Sequence, residues 1–434
     1  MIYGIILFDN KEKFSPNNRN IPTYLFIGLN KEKFIVSSNL KTKINQLVSI
    51  KYLKEEREIP RGEIVEYFGD YNDYKVNLRF YLNYYGLRRK NHLLKDYQIP
   101  IYNNEYIDSF SIDPIGCKDI DDSFSINENY IGVHISDISS YIFEKDYMDI
   151  INRVSTIYLD KNINMIDKRL SEGIASLLDN QITPVISFYF DIINFELKFI
   201  KKEYVKNKTF NYQDNNELIN KLKEISKIND THNLVEYWMI KVNSETPKLV
   251  DGLINRYSIE KEKMKIDINV EELKFLEWSK SEYGFYNESQ YHEQLNLKYY
   301  AHLTSPLRRS IDFINHLILR KNYFKEEINL DWLNNDIINL VNEEMNKLNK
   351  FKMEKNRLEI FYKLPIEIIY LDGYILEDKI YLPELKRFIF NFNNNININN
   401  NNNINNIKIK ISILKKKSYR FYKEGLIFNI INDN

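Results

Sequence analysis

Four aspartates, Asp113, Asp119, Asp121 and Asp122, fall within ten positions of this chain, and apolar residues are set between and beside them. The stretch runs Ser111-Ile112-Asp113-Pro114-Ile115-Gly116-Cys117-Lys118-Asp119-Ile120-Asp121-Asp122-Ser123-Phe124. Ile112, Ile120, Phe124 and Ile126 make it read as a turn joined to half-buried strand, which argues against a merely solvated acidic turn. Tyr130 to Asp137 reads as a second alternating strand. Carboxylates gathered by such a fold repel one another and need a positive partner. A hard divalent cation such as magnesium, with manganese as the alternative, takes oxygen ligands and keeps positions open for water and phosphate. Two ions roughly 3.5–4 Å apart would activate a water and stabilise a leaving oxygen in phosphodiester cleavage. The spacing excludes an EF-hand loop, which needs acids at alternate positions, a central glycine and a closing glutamate.

Composition adds exclusions. A chain of 434 residues can bury a large core and hold about two to four domains. Its 61 basic and 61 acidic residues cancel, so any nucleic-acid footprint must be local. The single cysteine, Cys117, excludes an internal disulfide and a cysteine-based zinc site. No apolar run approaches the ~18 residues of a membrane span. Met1-Ile2-Tyr3-Gly4 does not begin a secretory signal. An intracellular setting is expected: cytoplasm, nucleus or an organelle. The skew to Asn, Ile, Lys and Tyr suggests AT-rich coding, and alanine survives only at Ala175 and Ala301.

The expected fold class is α+β, in three parts. Residues 1–90 read as short strands (2–8, 24–29, 33–36, 46–53 and 62–68) and suggest an OB-type barrel, with a small sandwich as the alternative. Residues 95–360 mix strands with helices at 216–228, 231–243, 294–297, 311–322 and 333–362. Leu234, Trp238 and Val242 share one helical face, and Asp230 or Thr231 is the expected cap. Residues 365–434 return to strands, expected to form an OB-like barrel with a low-complexity Asn/Ile insertion at 391–406. Lys416, Lys417 and Arg420 lie among Tyr419, Phe421 and Tyr422, a mixture suited to the phosphates and bases of single-stranded nucleic acid.

A second constellation is Tyr300-Ala301-His302-Leu303-Thr304-Ser305-Pro306-Leu307-Arg308-Arg309. Pro306 suits a first helical turn, which would put Arg308 and Arg309 beside the free amides of a helix start. A guanidinium there can brace a phosphate as its charge develops. The alternative is an arginine pair bridging to nearby acids.

Together these segments resemble the ribonuclease II/R (RNB) family. The Asp-rich stretch, in its Gly116-Cys117 form, is most similar to exosome-type members. Gly132-Val133-His134-Ile135-Ser136-Asp137, Leu170-Ser171-Glu172-Gly173 with Ser176-Leu177, and Tyr300 to His316 resemble further family segments, in the family's order. The resemblance covers roughly residues 110–360. It implies a central mixed α/β RNB-type catalytic domain flanked by small OB-type β-barrels. It implies a processive, magnesium-dependent 3′→5′ exoribonuclease that threads single-stranded RNA and releases nucleoside 5′-monophosphates, alone or in an RNA-decay complex. Asp113, Asp119, Asp121 and Asp122 would hold metal, Asp121 and Asp122 would also serve the chemistry, and Arg308 would contact the scissile phosphate with Arg309 beside it. Tyr158 and Tyr212 match aromatics at the RNA end, and Glu236 matches a helix glutamate near the terminal nucleotides. A non-catalytic RNA-binding homologue is the rival expectation. The chain departs from the family in showing one N-terminal barrel rather than two, and in Ser310, Asn164 and Asp167.

Overall fold

The structure is a computed structural model that describes residues 1–9, 20–53, 58–102, 104–259, 280–365, 367–376, 379–385, 387–389, 407–415, 420–422 and 425–431. Its contacts divide the chain into two units, one built from 1–88 and 347–434, the other from 89–262 and 278–346.

The first unit opens with β1 (Ile2–Leu7), β2 (Thr23–Gly28), β3 (Lys33–Ser37), β4 (Gln46–Tyr52) and β5 (Arg61–Asp70), closed into a barrel in the order β1-β2-β3-β5-β4. All pairings are antiparallel except β3 with β5, which is the pattern of an OB-type barrel. Ile6, Phe26, Phe34, Val36, Val48 and Ile50 fill it. The strand-only expectation for this region misses α1 (Tyr74–Tyr84). Its aromatic, β-prone sequence hides the helix, but Asp73 accepts a cap bond from the Val76 amide at 2.9 Å and Phe80 packs edge-on against Phe68.

The second unit holds β6 (Ile107–Asp113), β7 (Asp122–Ile126), β8 (Tyr130–Ser136), α2 (Tyr147–Ile151), β9 (Ile182–Asp191) and β10 (Leu197–Asn211). The strands close a second barrel in the order β10-β6-β7-β8-β9. β8 was expected to be half-exposed, yet it is buried on both faces beyond its first residue. One face carries small polar groups and His134. The other carries Phe110, Phe124, Val133, Phe188 and Phe190, which join the helices in the main core. α3 (Glu217–Ser226) and α4 (Thr231–Glu245) follow; Asp230 caps α4, and Leu234, Trp238 and Val242 are its buried stripe. Trp238 donates its indole N–H to Ser226 at 3.0 Å, so its polar atom is satisfied inside the core. β11 (Ile254–Ser258) and β12 (Ser281–Phe285) form a two-stranded ribbon. The helix expected at 294–297 is only a 3-10 turn, Glu293–Leu295, ahead of α5 (Ser310–Asn322). The division between units falls inside α6 (Asn335–Lys363).

The rest of the first unit is β13 (Ile369–Leu376), β14 (Lys379–Leu382), β15 (Arg387–Ile389), β16 (Ile407–Lys415) and β17 (Leu426–Ile431), in a sheet ordered β15-β14-β13-β16-β17. Tyr422 donates to the buried Glu354 at 2.6 Å and its ring meets Tyr81 and Phe361, which ties this segment to α6 and α1. The Asn-rich tract at 391–406 lies outside the described residues. Among the described residues no helix is long and apolar enough to cross a membrane.

His134 yields a test of the second barrel. It is fully buried between Ser187 at 2.7 Å and Ser125 at 2.8 Å, and burial pulls its pKa down from 6.5 to about 3. The unfolded chain takes up the proton first, so the stability tied to a neutral His134 is present above pH 6.5 and is lost as pH falls toward 3. The urea midpoint should therefore drop between pH 6.5 and 4, and His134→Gln should flatten that slope. An unchanged slope would show that His134 does not carry it.

Candidate active site

Asp113 ends β6 and pairs with Asn211 at the end of β10, while Asp122 opens β7. The connection 114–121 therefore leaves and returns at one end of the barrel. It turns at Gly116, whose φ of +81° favours glycine, and the Cys117 amide closes the turn on the Pro114 carbonyl at 3.0 Å. Ser176 then pins the loop: its hydroxyl accepts from the Ile120 amide at 2.9 Å and donates to the Lys118 carbonyl at 2.8 Å. The Leu177 amide adds a bond to the Ile120 carbonyl, and the Ser136 amide one to the Asp121 carbonyl. Ile120 is buried with Leu177, Val185 and Val205. The alternation read from the sequence is thus a loop with its apolar side chain turned in and its acids left at the barrel mouth.

The arginine segment reaches the same point by a route that differs from expectation. Residues 306–308 form a turn, not helix: α5 begins only at Ser310, and Arg309 is its extended N-cap residue (φ −132°, ψ 125°). The turn aims the Leu307 amide at Asp121 Oδ1 (2.9 Å) and Arg308 Nε at Asp121 Oδ2 (2.9 Å). Arg308 Nη2 also donates to Ser305 Oγ at 2.8 Å. The Arg308 carbonyl accepts from Thr156 at 3.0 Å, which joins it to the segment bearing Tyr158, and Tyr158 donates its hydroxyl to Asp119 Oδ2.

Burial governs the electrostatics, and crowding of like charge adds to it. Burial pushes Asp121 up to about 7, with Arg308 pulling it back. Burial pushes Asp113 up to about 6, and Asp122 rises well above the usual carboxylate range through burial and the charges of Asp113 and Asp121. Burial, with Asp113 and Asp122 adding to it, lifts Tyr212 to about 12. Burial and the charges of Asp113 and Asp119 lift Cys117 to about 12 as well. Asp113 Oδ2 is buried without a hydrogen-bond partner.

Among the described residues no three acidic, cysteine or histidine side chains already form a metal cage, and Asp121 spends both oxygens on Leu307 and Arg308. The donor chemistry nevertheless fits a divalent cation. All four groups offer hard oxygens, and Asp113 keeps an oxygen with no partner of its own. Burial first, with neighbouring carboxylates adding to it, raises the proton affinity of Asp113, Asp121 and Asp122, and a cation would relieve both.

The other expected residues divide. Tyr212 follows β10 and packs against His232 of α4, with ring centroids 5.5 Å apart. Glu236 is exposed one turn further along α4 and makes no bond to the acidic group. Arg309 turns inward: it donates to Asp312 at 2.8 Å and lies 3.3 Å from His302, so the alternative of an arginine bridging to an acid describes it. Arg420 is exposed and belongs to the first unit, while Lys416 and Lys417 lie outside the described residues. Sequence reasoning missed Ser176, Ser305 and Asp312. Their signal was weak, because a lone serine or aspartate inside a motif does not announce its partner.

A five-stranded barrel with an acidic, arginine-braced mouth defines a class of domain, and comparison with known proteins identifies it. Residues 104–224 match the RNB domain, the domain to which the resemblance of the motifs pointed. A segment of 76 residues is 40% identical to the exosome complex exonuclease RRP44 homolog A of Arabidopsis thaliana, covering 16% of this chain and only 8% of that protein. The fold is similar to that of apo Mycoplasma genitalium RNase R (TM-score 0.73, 14% identity, 99% of this chain and 90% of that one). It is also similar to yeast Ssd1, a pseudonuclease (TM-score 0.64, 14% identity, 95% and 67% covered).

Ser176→Ala should lower stability by about 1–3 kcal/mol, because it strips the partner from the buried Ile120 amide and from the part-buried Lys118 carbonyl of the Asp loop. Urea unfolding measures this; a midpoint within error of the parent would mean the loop does not need Ser176.

Proposed function

We propose that this chain is a hydrolytic 3′→5′ exoribonuclease that removes nucleoside 5′-monophosphates processively from single-stranded RNA. The observation that carries the reading is the meeting of Asp113, Asp119, Asp121 and Asp122 with Arg308, Tyr158 and Tyr212 at one barrel end. Magnesium or manganese held by the four aspartates would supply an activated water and charge stabilisation at the leaving 3′-oxygen. Arg308, already balanced against Asp121, would share its guanidinium with the scissile phosphate. Asp121 or Asp122 would also orient the attacking water. The rings of Tyr158 and Tyr212 would stack on the terminal bases, which requires them unpaired. Arg309 would act by fixing Asp312, and Glu236, Arg420, Lys416 and Lys417 would be further contacts to RNA.

The strand-rich parts before and after the RNB domain would bind single-stranded RNA. An intracellular RNA-decay role, alone or in a complex, follows from the same reading.

A 3′-labelled RNA with a duplex and a single-stranded 3′ overhang tests it. With magnesium the protein should release labelled mononucleotide, and EDTA should stop release. Asp121→Asn should cut turnover by at least about a hundredfold while RNA binding survives. Equal turnover by that variant, or equal cleavage of a DNA oligomer, would contradict the assignment.

One observation favours a second reading. Asp121 has both oxygens committed, and one structure of similar fold is a pseudonuclease. Retention of intact RNA with magnesium present would identify this chain as a non-catalytic RNA binder.

A further inference from the structure

Arg89 begins the stretch that runs from the first unit's sequence into the second, and neither the barrel nor the acidic mouth accounts for it. Its guanidinium is largely buried and donates from both ends, Nη1 to the Arg153 carbonyl and Nη2 to the Ser155 carbonyl. Between those carbonyls sits Val154, only 2% exposed, with a φ of +50°. A β-branched residue in the left-handed region is sterically costly and persists only where its surroundings impose it.

What imposes the bend is visible. The Val154 amide bonds to the Ile151 carbonyl at 3.0 Å and its carbonyl accepts from the Ser310 amide at 2.8 Å. The Arg89 fork holds the peptide on either side. Immediately after the bend come Thr156, which donates to the Arg308 carbonyl, and Tyr158, which donates to Asp119. The following residues are gripped by the same stretch: the Asn164 amide donates to Asn91, and the Leu94 amide donates to Asp167. The chain from 89 to 94 therefore holds both flanks of the Tyr158 segment.

We propose that Arg89 is a positioning residue: by bridging the carbonyls of Arg153 and Ser155 it holds the left-handed bend at Val154, and through that bend it sets the placement of Tyr158 and Arg308 at the acidic mouth. A lysine cannot replace it, because one ammonium does not span two carbonyls as a planar fork does. Only the kinetic half of the test rests on the proposed exoribonuclease activity.

Hydrogen exchange of the whole chain is compared for the parent, Arg89→Ala, Arg89→Lys, Val154→Gly and the Arg89→Ala/Val154→Gly pair. Arg89→Ala should speed exchange at the amides of Thr156, Ile157 and Ser310 roughly tenfold, in line with the loss of charge-assisted bonds, while amides of β8 keep parent rates. Arg89→Lys should behave like Arg89→Ala. In the Val154→Gly background, where the bend costs little, removing Arg89 should have a smaller effect. Parent-like exchange at those three amides, an equal rise throughout β8, or full additivity with Val154→Gly would each overturn the proposal. In steady-state cleavage of single-stranded RNA, Arg89→Ala should lower kcat roughly tenfold with KM changed less than about twofold, since binding further along the strand is untouched. An active parent whose Arg89→Ala variant keeps full kcat also overturns it. A parent that cleaves no RNA contradicts the proposed function instead, and the exchange pattern still decides the role of Arg89.

Discussion

The contact between Asp121 and the Leu307–Arg308 turn joins two halves of one site that lie more than 180 residues apart in the chain. Asp121 is 3% exposed, and a lone buried carboxylate would be prohibitively costly to ionise. A backbone amide and a guanidinium make the charge tolerable. In return, the carboxylate aims Arg308 at the barrel mouth and brings the start of α5 against the Asp loop. Removing either partner would leave the other as an uncompensated group in a dry place.

Around that contact the loop is held from outside rather than by its own sequence. Ser176 and Leu177 come from one segment, Ser136 from β8 and Tyr158 from another stretch, and each supplies a bond to the residues between Lys118 and Asp121. Four repelling side chains would spread apart in a free loop. Here the backbone is fixed first, and the side chains have little freedom to escape one another. Burial raises the proton affinities of Asp113, Asp121 and Asp122, and the neighbouring carboxylates add to it. A site of this kind is prepared for positive charge before any arrives.

Much of this was legible in the residue order. The acids, the glycine turn and the arginine pair are local patterns, and the α4 stripe and cap follow from helical spacing. The α1 helix was not legible, because tyrosine- and phenylalanine-rich segments serve strand and helix equally and packing on Phe68 decided between them. The helix start expected at Pro306 was also displaced. Proline is compatible with a first helical turn and equally with a tight turn, and the demand of Asp121 for the Leu307 amide and Arg308 selected the turn. The two arginines illustrate the limit well: adjacent and chemically identical, they serve different carboxylates, Arg308 pairing with Asp121 and Arg309 with Asp312.

The sequence by itself determined which chemistry is available: clustered carboxylates, a paired guanidinium, aromatic rings and the RNB motifs in order. That information is local, since side-chain type and short-range spacing need no fold to be read. Only the tertiary structure decided which carboxylate each donor serves, that Arg309 pairs with Asp312, and that the Arg89 guanidinium bridges the carbonyls on either side of the left-handed Val154. Those outcomes depend on directions in space between segments far apart in the chain, and a hydrogen bond is made or lost on direction.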